Sequence, residues 1–364
     1  MTITEARPPL SSAAPQATLS VLDLFAGVGG LSEGFHQASS RYRTVAAVEL
    51  EPRAAAGYAL NHEGEVFTGS IQEWLKVADV PSVDVVIGGS PCQGFSALGL
   101  RRVDDERNVL WQSYAQTVHL AQPSYFVLEN VPQFLKSPQF QLFKKSTEPG
   151  EPLADYEIHP YVLNAAEYGA AQVRKRTVVI GHLRDLPDPG APVKTHPDPA
   201  TWRTVRDVIG GLPAPHDLPG GREEMRDGRS FAGPYTAKEL HVDRNYRPIS
   251  LERFAKVPEG GNRMDLPDDL KCKAWLSHTT GSMDVMGRLS WDKPSVTIRT
   301  EFTKPEKGRY LHPSENRAIT PYEGALLQGF PPDYKFVGPI TEIVKQIGNA
   351  VPVPLGRALG DLIL

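Results

Sequence analysis

The sequence predicts an α/β protein with a doubly wound, Rossmann-like and largely parallel sheet, joined to a second, smaller and irregular region. Three observations carry this prediction. Apolar, strand-like runs alternate with helical patterns through the first half of the chain. Glycine-rich or polar segments directly follow several of these runs, as at the carboxyl ends of parallel strands. From about residue 183 to 316, in contrast, the chain is rich in Pro and Gly and shows little periodicity.

Composition and charge limit the classes of protein to consider. Of the 364 residues, 40% are hydrophobic and 23% are charged, as in an ordinary globular protein. No apolar stretch reaches the roughly 20 residues of a membrane helix, and no signal-peptide pattern is present, which predicts a cytoplasmic protein without a membrane partner. The net charge of −4 means that any site for a polyanion is local. Two cysteines, Cys92 and Cys272, are too few for a disulfide framework or a structural zinc site, so no metal is predicted.

The first two predicted strands frame a binding turn for a nucleotide-type cofactor. Leu19 to Phe25 form an apolar run that enters the glycine turn Ala26 to Gly30 and then a helical pattern. The second strand, Thr44 to Val48, ends at Glu49, which lies 20 residues after Gly29. At this spacing a carboxylate reaches a ribose diol, whereas a glycine turn alone would be weak evidence.

Three more predicted strands bring reactive groups to the same edge of the sheet. They are Val66 to Ile71, a fourth strand that ends at Cys92, and Tyr125 to Leu128; Leu110 to Leu120 forms a helix between the last two. Cys92 follows two glycines and a proline, which suggests a rigidly placed nucleophile. Glu129 follows the fifth strand and, taken alone, reads as a solvated acid.

Later segments add a polar strand face and two helices. Along one strand, Gln172, Arg174 and Arg176 would alternate onto a single face, which is either a solvated surface or an anion site. Thr320 followed by a proline and by Glu323 predicts a capped short helix. A final apolar helix is predicted to run to the end of the chain.

Taken together and in this order, these segments resemble the C5-cytosine-specific DNA methyltransferases of the bacterial type. The resemblance runs from about residue 20 to the C-terminus. The segments that carry it are Asp23 to Gly30 for the S-adenosyl-L-methionine loop, Pro91 to Gln93 for the nucleophile, Glu129 to Val131 and Gln172 to Arg176 for its supports, and Arg317 to Lys335 with Gly348 to Pro352 for the ninth and tenth motifs. Each is short, but their joint occurrence in order is specific.

The resemblance implies a covalent mechanism. Cys92 would add to cytosine C6, Glu129 would contact N3 and the exocyclic amine, and Arg174 and Arg176 would raise the thiolate fraction of the cysteine. The target base would be flipped out of double-stranded DNA, because C6 is inaccessible to a thiol in a stacked duplex. A loop from residue 95 to 108 would close over the DNA. The DNA contacts implied are Gln93, Ser96, Arg101, Arg102 and Gln172.

The resemblance also implies the cofactor contacts and a division of the chain. The cofactor residues are Phe25, Gly27, Gly29, Glu49, Leu50, Ser70, Ile71, Pro91, Leu110, Asn349 and Val351. Ser70 departs from the family, which commonly has an acid beside the adenine amine. Residues 1–18 would be a disordered tail, 19–185 with 341–364 the catalytic and cofactor-binding domain, and 186–340 the target recognition domain.

Other readings stay open at this point. The nearest is a tRNA cytosine-5 methyltransferase of the same family, although a long insert at 183–316 favours DNA. An NAD-dependent oxidoreductase would also use the glycine turn and Glu49, but gives Cys92 and Glu129 no joint purpose. A third is an inactive DNA-binding homologue. A monomer on DNA is expected, with or without a cognate restriction endonuclease.

Overall fold

A computed structural model describes residues 17–90, 110–277 and 284–364. Its centre is a seven-stranded sheet. The strands are β1 (Leu19–Leu24), β2 (Tyr42–Glu49), β3 (Glu65–Thr68), β4 (Val85–Gly89), β5 (Tyr125–Asn130), β6 (Tyr156–Asn164) and β7 (Lys175–Leu183). The helices of this part are α1 (Gly30–Ala38), α2 (Pro52–Ala59), α3 (Ile71–Val77), α4 (Leu110–Ala121) and α5 (Pro138–Lys145). Of the tail predicted for residues 1–18, only the last two residues lie within the described ranges.

The strand order across the sheet is β3-β2-β1-β4-β5-β7-β6. The strands β1 to β5 pair in parallel, whereas β7 is antiparallel to both β5 and β6. The chain therefore winds outward in opposite directions from the boundary between β1 and β4, which is where ligands bind in open α/β sheets. The predicted doubly wound sheet is confirmed, and its antiparallel end is a hairpin that the sequence pattern did not reveal.

Alternation along the strands builds one apolar core on each face of the sheet. Leu22 and Phe126 lie on the face covered by α3, α4 and α5. Val21 and Val127 lie on the opposite face, which α1 covers together with a C-terminal helix. A Cβ on Gly34 of α1 would lie 2.5 Å from the backbone of that helix, so glycine allows the two helices to touch.

The rest of the chain forms short elements, most of them around a third core, and ends in the helix that packs beside α1. The strands are β8 (Glu223–Arg226), β9 (Arg229–Ala232), β10 (Tyr235–Thr236), β11 (Gly287–Arg288), β12 (Arg309–Leu311) and β13 (Lys335–Phe336). The helices are α6 (Val205–Ile209), α7 (Pro248–Lys256), α8 (Lys273–Ser277), α9 (Pro321–Gln328), α10 (Ile340–Asn349) and α11 (Val353–Ile363). The third core lies mostly within residues 205–347 and reaches Val28 beside the glycine turn. None of the described helices is long and apolar enough to cross a bilayer.

Helix ends follow the capping signals of the sequence. The predicted cap of α9 is confirmed, since Thr320 and Glu323 form a reciprocal capping box. The predicted strand from Val66 to Ile71 is too long, because Ser70 and Glu73 form a second capping box that begins α3 at Ile71. These two polar residues satisfy the free N–H groups of a helix start, and the chain leaves the sheet after Thr68.

Candidate active site

The glycine turn after β1 has one open and one packed glycine. Phe25, Gly27 and Gly29 have φ values of 56°, 56° and 96°, in the left-handed region that non-glycine residues such as Phe25 rarely adopt. A Cβ on Gly27 would have no atom of the described residues within 4 Å, whereas one on Gly29 would lie 2.4 Å from Nε2 of His62. Among the described residues, the turn therefore borders free space at Gly27, whereas at Gly29 it packs against His62.

Glu49 ends β2 and holds this turn. Its Oε2 accepts a hydrogen bond from the Gly27 N–H at 2.8 Å, and its Oε1 accepts one from the Glu51 N–H at 2.8 Å. Burial raises the pKa of Glu49 above its ordinary value, opposed by these backbone hydrogen bonds. Each carboxylate oxygen keeps a second lone pair for a ligand hydroxyl. The next residue, Leu50, is 68% exposed, so it offers an apolar surface beside this carboxylate.

Three predicted cofactor contacts open the helices α3 and α4. Ser70 Oγ donates to Glu73 Oε2 at 2.8 Å and accepts from the Glu73 N–H at 3.2 Å. Its remaining lone pair is available to an amine donor. Ile71 is buried and Leu110 is half-buried at the first positions of their helices. All three lie after strands or before helices at the carboxyl edge of the parallel strands.

The C-terminal part of the chain crosses the same turn. Asn349 ends α10 and is exposed, and Val351 is buried between α10 and α11. The Val351 carbonyl oxygen would lie 2.5 Å from a Cβ on Gly30. The first and the last predicted motifs therefore meet, as their resemblance to cofactor-binding segments implies.

An ion pair joins the two predicted supports of the nucleophile. Arg176 Nε lies 2.7 Å from Glu129 Oε1, and the two side chains are only 15% and 11% exposed. A Cβ on Gly89 would lie 2.9 Å from Glu129 Oε2. The carboxylate thus lies over the backbone at the end of β4, and only glycine leaves room for it there.

Asn130, which lies in the predicted support segment Glu129 to Val131, fixes the chain next to the nucleophile segment. Its Nδ2 donates to the Ser90 carbonyl oxygen at 3.1 Å and to Ser90 Oγ at 2.9 Å. Its Oδ1 accepts from the Val131 N–H at 2.8 Å. Ser90 is the last residue described before the gap at 91–109. The predicted site residues Pro91, Cys92, Gln93, Ser96, Arg101 and Arg102 lie outside the described residues, as does the loop predicted from 95 to 108.

Arg174 is 2% exposed and ties β7 to the rest of the site. Its Nη1 donates to the Ile298 carbonyl at 2.7 Å and its Nη2 to the Gly348 carbonyl at 3.1 Å. One guanidinium thereby joins the sheet to the irregular region and to α10. This planar, fixed cation is the kind of group that arginine provides at buried sites.

The position of Gln172 differs from the one predicted. It was expected on a strand face in contact with DNA, but β7 begins only at Lys175 and Gln172 is 0% exposed. Its Nε2 donates to the Leu327 carbonyl at 3.0 Å and to Gln328 Oε1 at 2.6 Å, and its Oε1 accepts from the Ile298 N–H at 3.2 Å. Its amide is used inside the protein, because other segments of the chain fold over it.

Two sets of buried polar contacts beneath the turn were also not predicted from the sequence. Ser32 Oγ donates to Asp23 Oδ2 at 2.6 Å and lies 2.7 Å from the Tyr58 hydroxyl. Burial raises the pKa of Asp23 to about 7, partly offset by hydrogen bonds from the hydroxyls of Ser32 and Tyr58 to its carboxylate. His62 Nε2 lies 2.8 Å from the hydroxyl of Tyr334, and burial lowers the pKa of His62 to about 3. The spacing of these residues along the chain does not predict that they are in contact.

The hairpin of β8 and β9 covers the free edge of β3. Arg226 Nε donates to Thr68 Oγ1 at 3.0 Å, and its Nη2 donates to the Val66 carbonyl. The Arg53 guanidinium lies 5.5 Å from the centre of the Phe231 ring of the same hairpin. The irregular region therefore contacts the sheet next to Ser70.

Comparison with known proteins relates this geometry to a family. The sequence profile described as C-5 cytosine-specific DNA methylase matches residues 19–364. The Type II methyltransferase M1.HphI of Haemophilus parahaemolyticus is 33% identical over 356 residues, which cover 95% of this chain and 87% of that protein. The Type II methyltransferase M.XorII of Xanthomonas oryzae pv. oryzae is 31% identical over 369 residues, covering 94% and 84%.

Solved structures share the fold. A candidate DNA modification methyltransferase encoded within an E. coli prophage superposes with a TM-score of 0.68 at 24% identity, covering 95% of this chain and 98% of that one. The S. pombe Dnmt2 methyltransferase gives 0.59 at 18% identity, with coverage of 95% and 98%. At these identities the likeness concerns the fold alone. Because the family profile spans nearly the whole chain, the protein belongs to the C-5 cytosine-specific DNA methylase family and is a DNA (cytosine-5-)-methyltransferase.

Proposed function

We propose that the protein transfers a methyl group from S-adenosyl-L-methionine to C5 of a flipped-out cytosine in a specific sequence of double-stranded DNA, through a covalent bond between Cys92 and C6. The observation that carries this proposal is the 2.7 Å ion pair between Arg176 and Glu129 over the end of β4. The strand that ends beneath this pair leads, three residues later, to Cys92.

The residues around the glycine turn suit the cofactor. Free space beside Gly27 leaves room for a ligand close to the backbone, and Glu49 has lone pairs for two ribose hydroxyls. Phe25 and Leu50 would pack on the adenine, and Ser70 would accept from its amine. When bound, S-adenosyl-L-methionine supplies the methyl group as an electrophile.

The other residues activate the pyrimidine. Addition of the Cys92 thiolate to C6 makes C5 nucleophilic; after C5 is methylated, loss of its proton expels Cys92. Glu129, held by Arg176, would contact N3 and the exocyclic amine of the base. Arg174, fixed by two carbonyl oxygens, would add positive charge near the thiolate.

We infer a division of labour between 19–185 with 341–364, for cofactor and catalysis, and 186–340, for target recognition. Two of the apolar cores lie in the former, and the third lies mostly in the latter. The DNA contacts proposed for Gln93, Ser96, Arg101 and Arg102 would make binding salt-dependent. A restriction endonuclease acting on the same DNA sequence is a candidate partner, because the relatives are named Type II methyltransferases.

Tritium transfer from labelled S-adenosyl-L-methionine tests the proposal. We expect label in double-stranded DNA and none in tRNA; label in tRNA alone would favour the tRNA methyltransferase, and label in neither would overturn both. Cys92→Ser should abolish transfer while keeping DNA binding, whereas the matched control Cys272→Ser should keep transfer. Full activity of Cys92→Ser would refute the covalent mechanism without refuting the reaction. Bisulfite sequencing of methylated genomic DNA then identifies the target sequence.

A further inference from the structure

A cluster on the hairpin of β6 and β7 has no part in the proposed reaction. Glu157 lies directly opposite His182 in the antiparallel register, and His159 follows Glu157 on the same face. One ligand atom from each of the three lies within 4.8 Å of the others. His182 is six residues beyond Arg176 along β7, or ~20 Å, at the opposite end of the sheet from the active site.

The two imidazoles present the same nitrogen to each other. His159 Nε2 lies 3.2 Å from His182 Nε2. His182 Nδ1 lies 2.8 Å from the Leu183 carbonyl oxygen, which can only accept, so this Nδ1 carries the proton and Nε2 has the lone pair. His159 Nδ1 faces Asp188 Oδ2 at 3.6 Å. A hydrogen bond from Nδ1, as His182 has, orients Nε2 of a histidine toward a metal ion, and the Asp188 carboxylate lies on the Nδ1 side of His159 just beyond hydrogen-bond distance.

The separations fit a tetrahedral ion. Two nitrogens bound to zinc at about 2.0–2.1 Å lie roughly 3.3 Å apart. Glu157 Oε1 is 3.9 Å from His159 Nε2, and the Glu157 side chain is 53% exposed, so a small rotation brings its carboxylate into range. His182, in contrast, is 2% exposed and forms the buried wall of the cluster.

We propose that Glu157, His159 and His182 bind one divalent transition-metal ion of the zinc class, through two imidazole nitrogens and one carboxylate oxygen. Imidazole ligands favour zinc, nickel or copper over magnesium or calcium. Since β6 is the outer strand of the sheet, the ion joins this edge strand to its neighbour. Because it binds the folded chain, it raises thermal stability in a concentration-dependent way.

The test uses the full-length chain without a histidine tag, stripped with a chelator, loaded with zinc chloride and desalted. We expect mass spectrometry to find about one zinc ion more per chain in the wild type than in His159→Gln or Glu157→Gln, and zinc to raise the melting temperature of the wild type but not of these two variants. His119→Gln, which removes an exposed histidine on α4, is the matched control and keeps the extra ion.

Equal zinc content in the wild type and His159→Gln would overturn the proposal, as would loss of the ion from His119→Gln. Circular dichroism checks that each variant is folded, and the test relies on His159 and Glu157 because both are more exposed than His182. Methyl transfer in the presence of chelator should be the same in the wild type and His159→Gln, since the cluster lies away from the active site. This separates the metal site from the proposed reaction.

Discussion

Two glycines of the same turn should respond differently to alanine. Gly27 and Gly29 both have positive φ, where a Cβ costs about 1–2 kcal/mol. At Gly27 the added methyl group would have nothing within 4 Å in the part of the chain that the structure describes, so we expect Gly27→Ala to lose only that amount of folding stability. At Gly29 the added methyl group would lie 2.4 Å from His62 Nε2 and 2.7 Å from the Tyr334 hydroxyl. These two side chains are buried and hydrogen-bonded to each other, so they cannot move aside freely. Overpacking adds about 1–3 kcal/mol, which gives a loss of about 2–5 kcal/mol for Gly29→Ala.

Ligand affinity should separate the two glycines as well. If the free space at Gly27 is the cofactor site, its methyl group excludes ligand atoms, and we expect S-adenosyl-L-homocysteine to bind at least about tenfold more weakly to Gly27→Ala, a loss of about 1.4 kcal/mol. Urea unfolding followed by circular dichroism measures the stability of both variants, and calorimetry measures binding. Gly29→Ala no less stable than Gly27→Ala would refute the packing argument, and unchanged binding by Gly27→Ala would refute the assignment of the space.

Three further predictions concern charge and pH. Glu323→Gln leaves the buried guanidinium of Arg317 with one carboxylate, that of the partly exposed Glu315, so we expect a loss of about 3 kcal/mol in the free energy of unfolding measured with urea. Burial raises the pKa of Asp23 to about 7, so the folded state holds a proton that the unfolded state releases; the stability from this group is present below about pH 4 and is lost as the pH rises through 7. Asp23→Asn should remove this decline in the free energy of unfolding, which is measured between about pH 4 and 8. Ser70→Asp should increase the affinity for S-adenosyl-L-homocysteine measured by calorimetry. The Glu73 carboxylate lies 2.8 Å from Ser70 Oγ and would repel the new acid, so the increase should be larger when Glu73→Gln is added.

Each of these predictions has a control or a contradicting result. Asp292→Asn breaks the exposed pair with Arg206, and a loss as large as that of Glu323→Gln would contradict the role of burial. A pH profile of Asp23→Asn parallel to that of the wild type would show that Asp23 does not bind the proton. If both variants with Ser70→Asp bound the ligand no more tightly than the wild type, the argument that a negative charge is missing beside the adenine would be contradicted.

The elements of the sheet could be predicted because their signals are local. Apolar runs that end in glycine or acid mark β1, β2, β4 and β5 in the sequence, and the structure has strands in these places. The start of α3 was also encoded, by Ser70 and Glu73 at capping-box spacing, but the apolar run from Val66 concealed it. Gln172 was misjudged because its burial depends on segments more than a hundred residues away.

By itself the sequence determined the order of the first five strands, the glycine turn and the motifs that identify the family, because turns, caps and apolar periodicity depend on neighbouring residues. Only the tertiary structure decided which polar groups meet. Glu129 pairs with Arg176 because β7 returns antiparallel beside β5, and His159 meets His182 because β6 pairs with β7. Strand order and register arise from the packing of the whole sheet, so these contacts have no signature in the spacing of the residues along the chain.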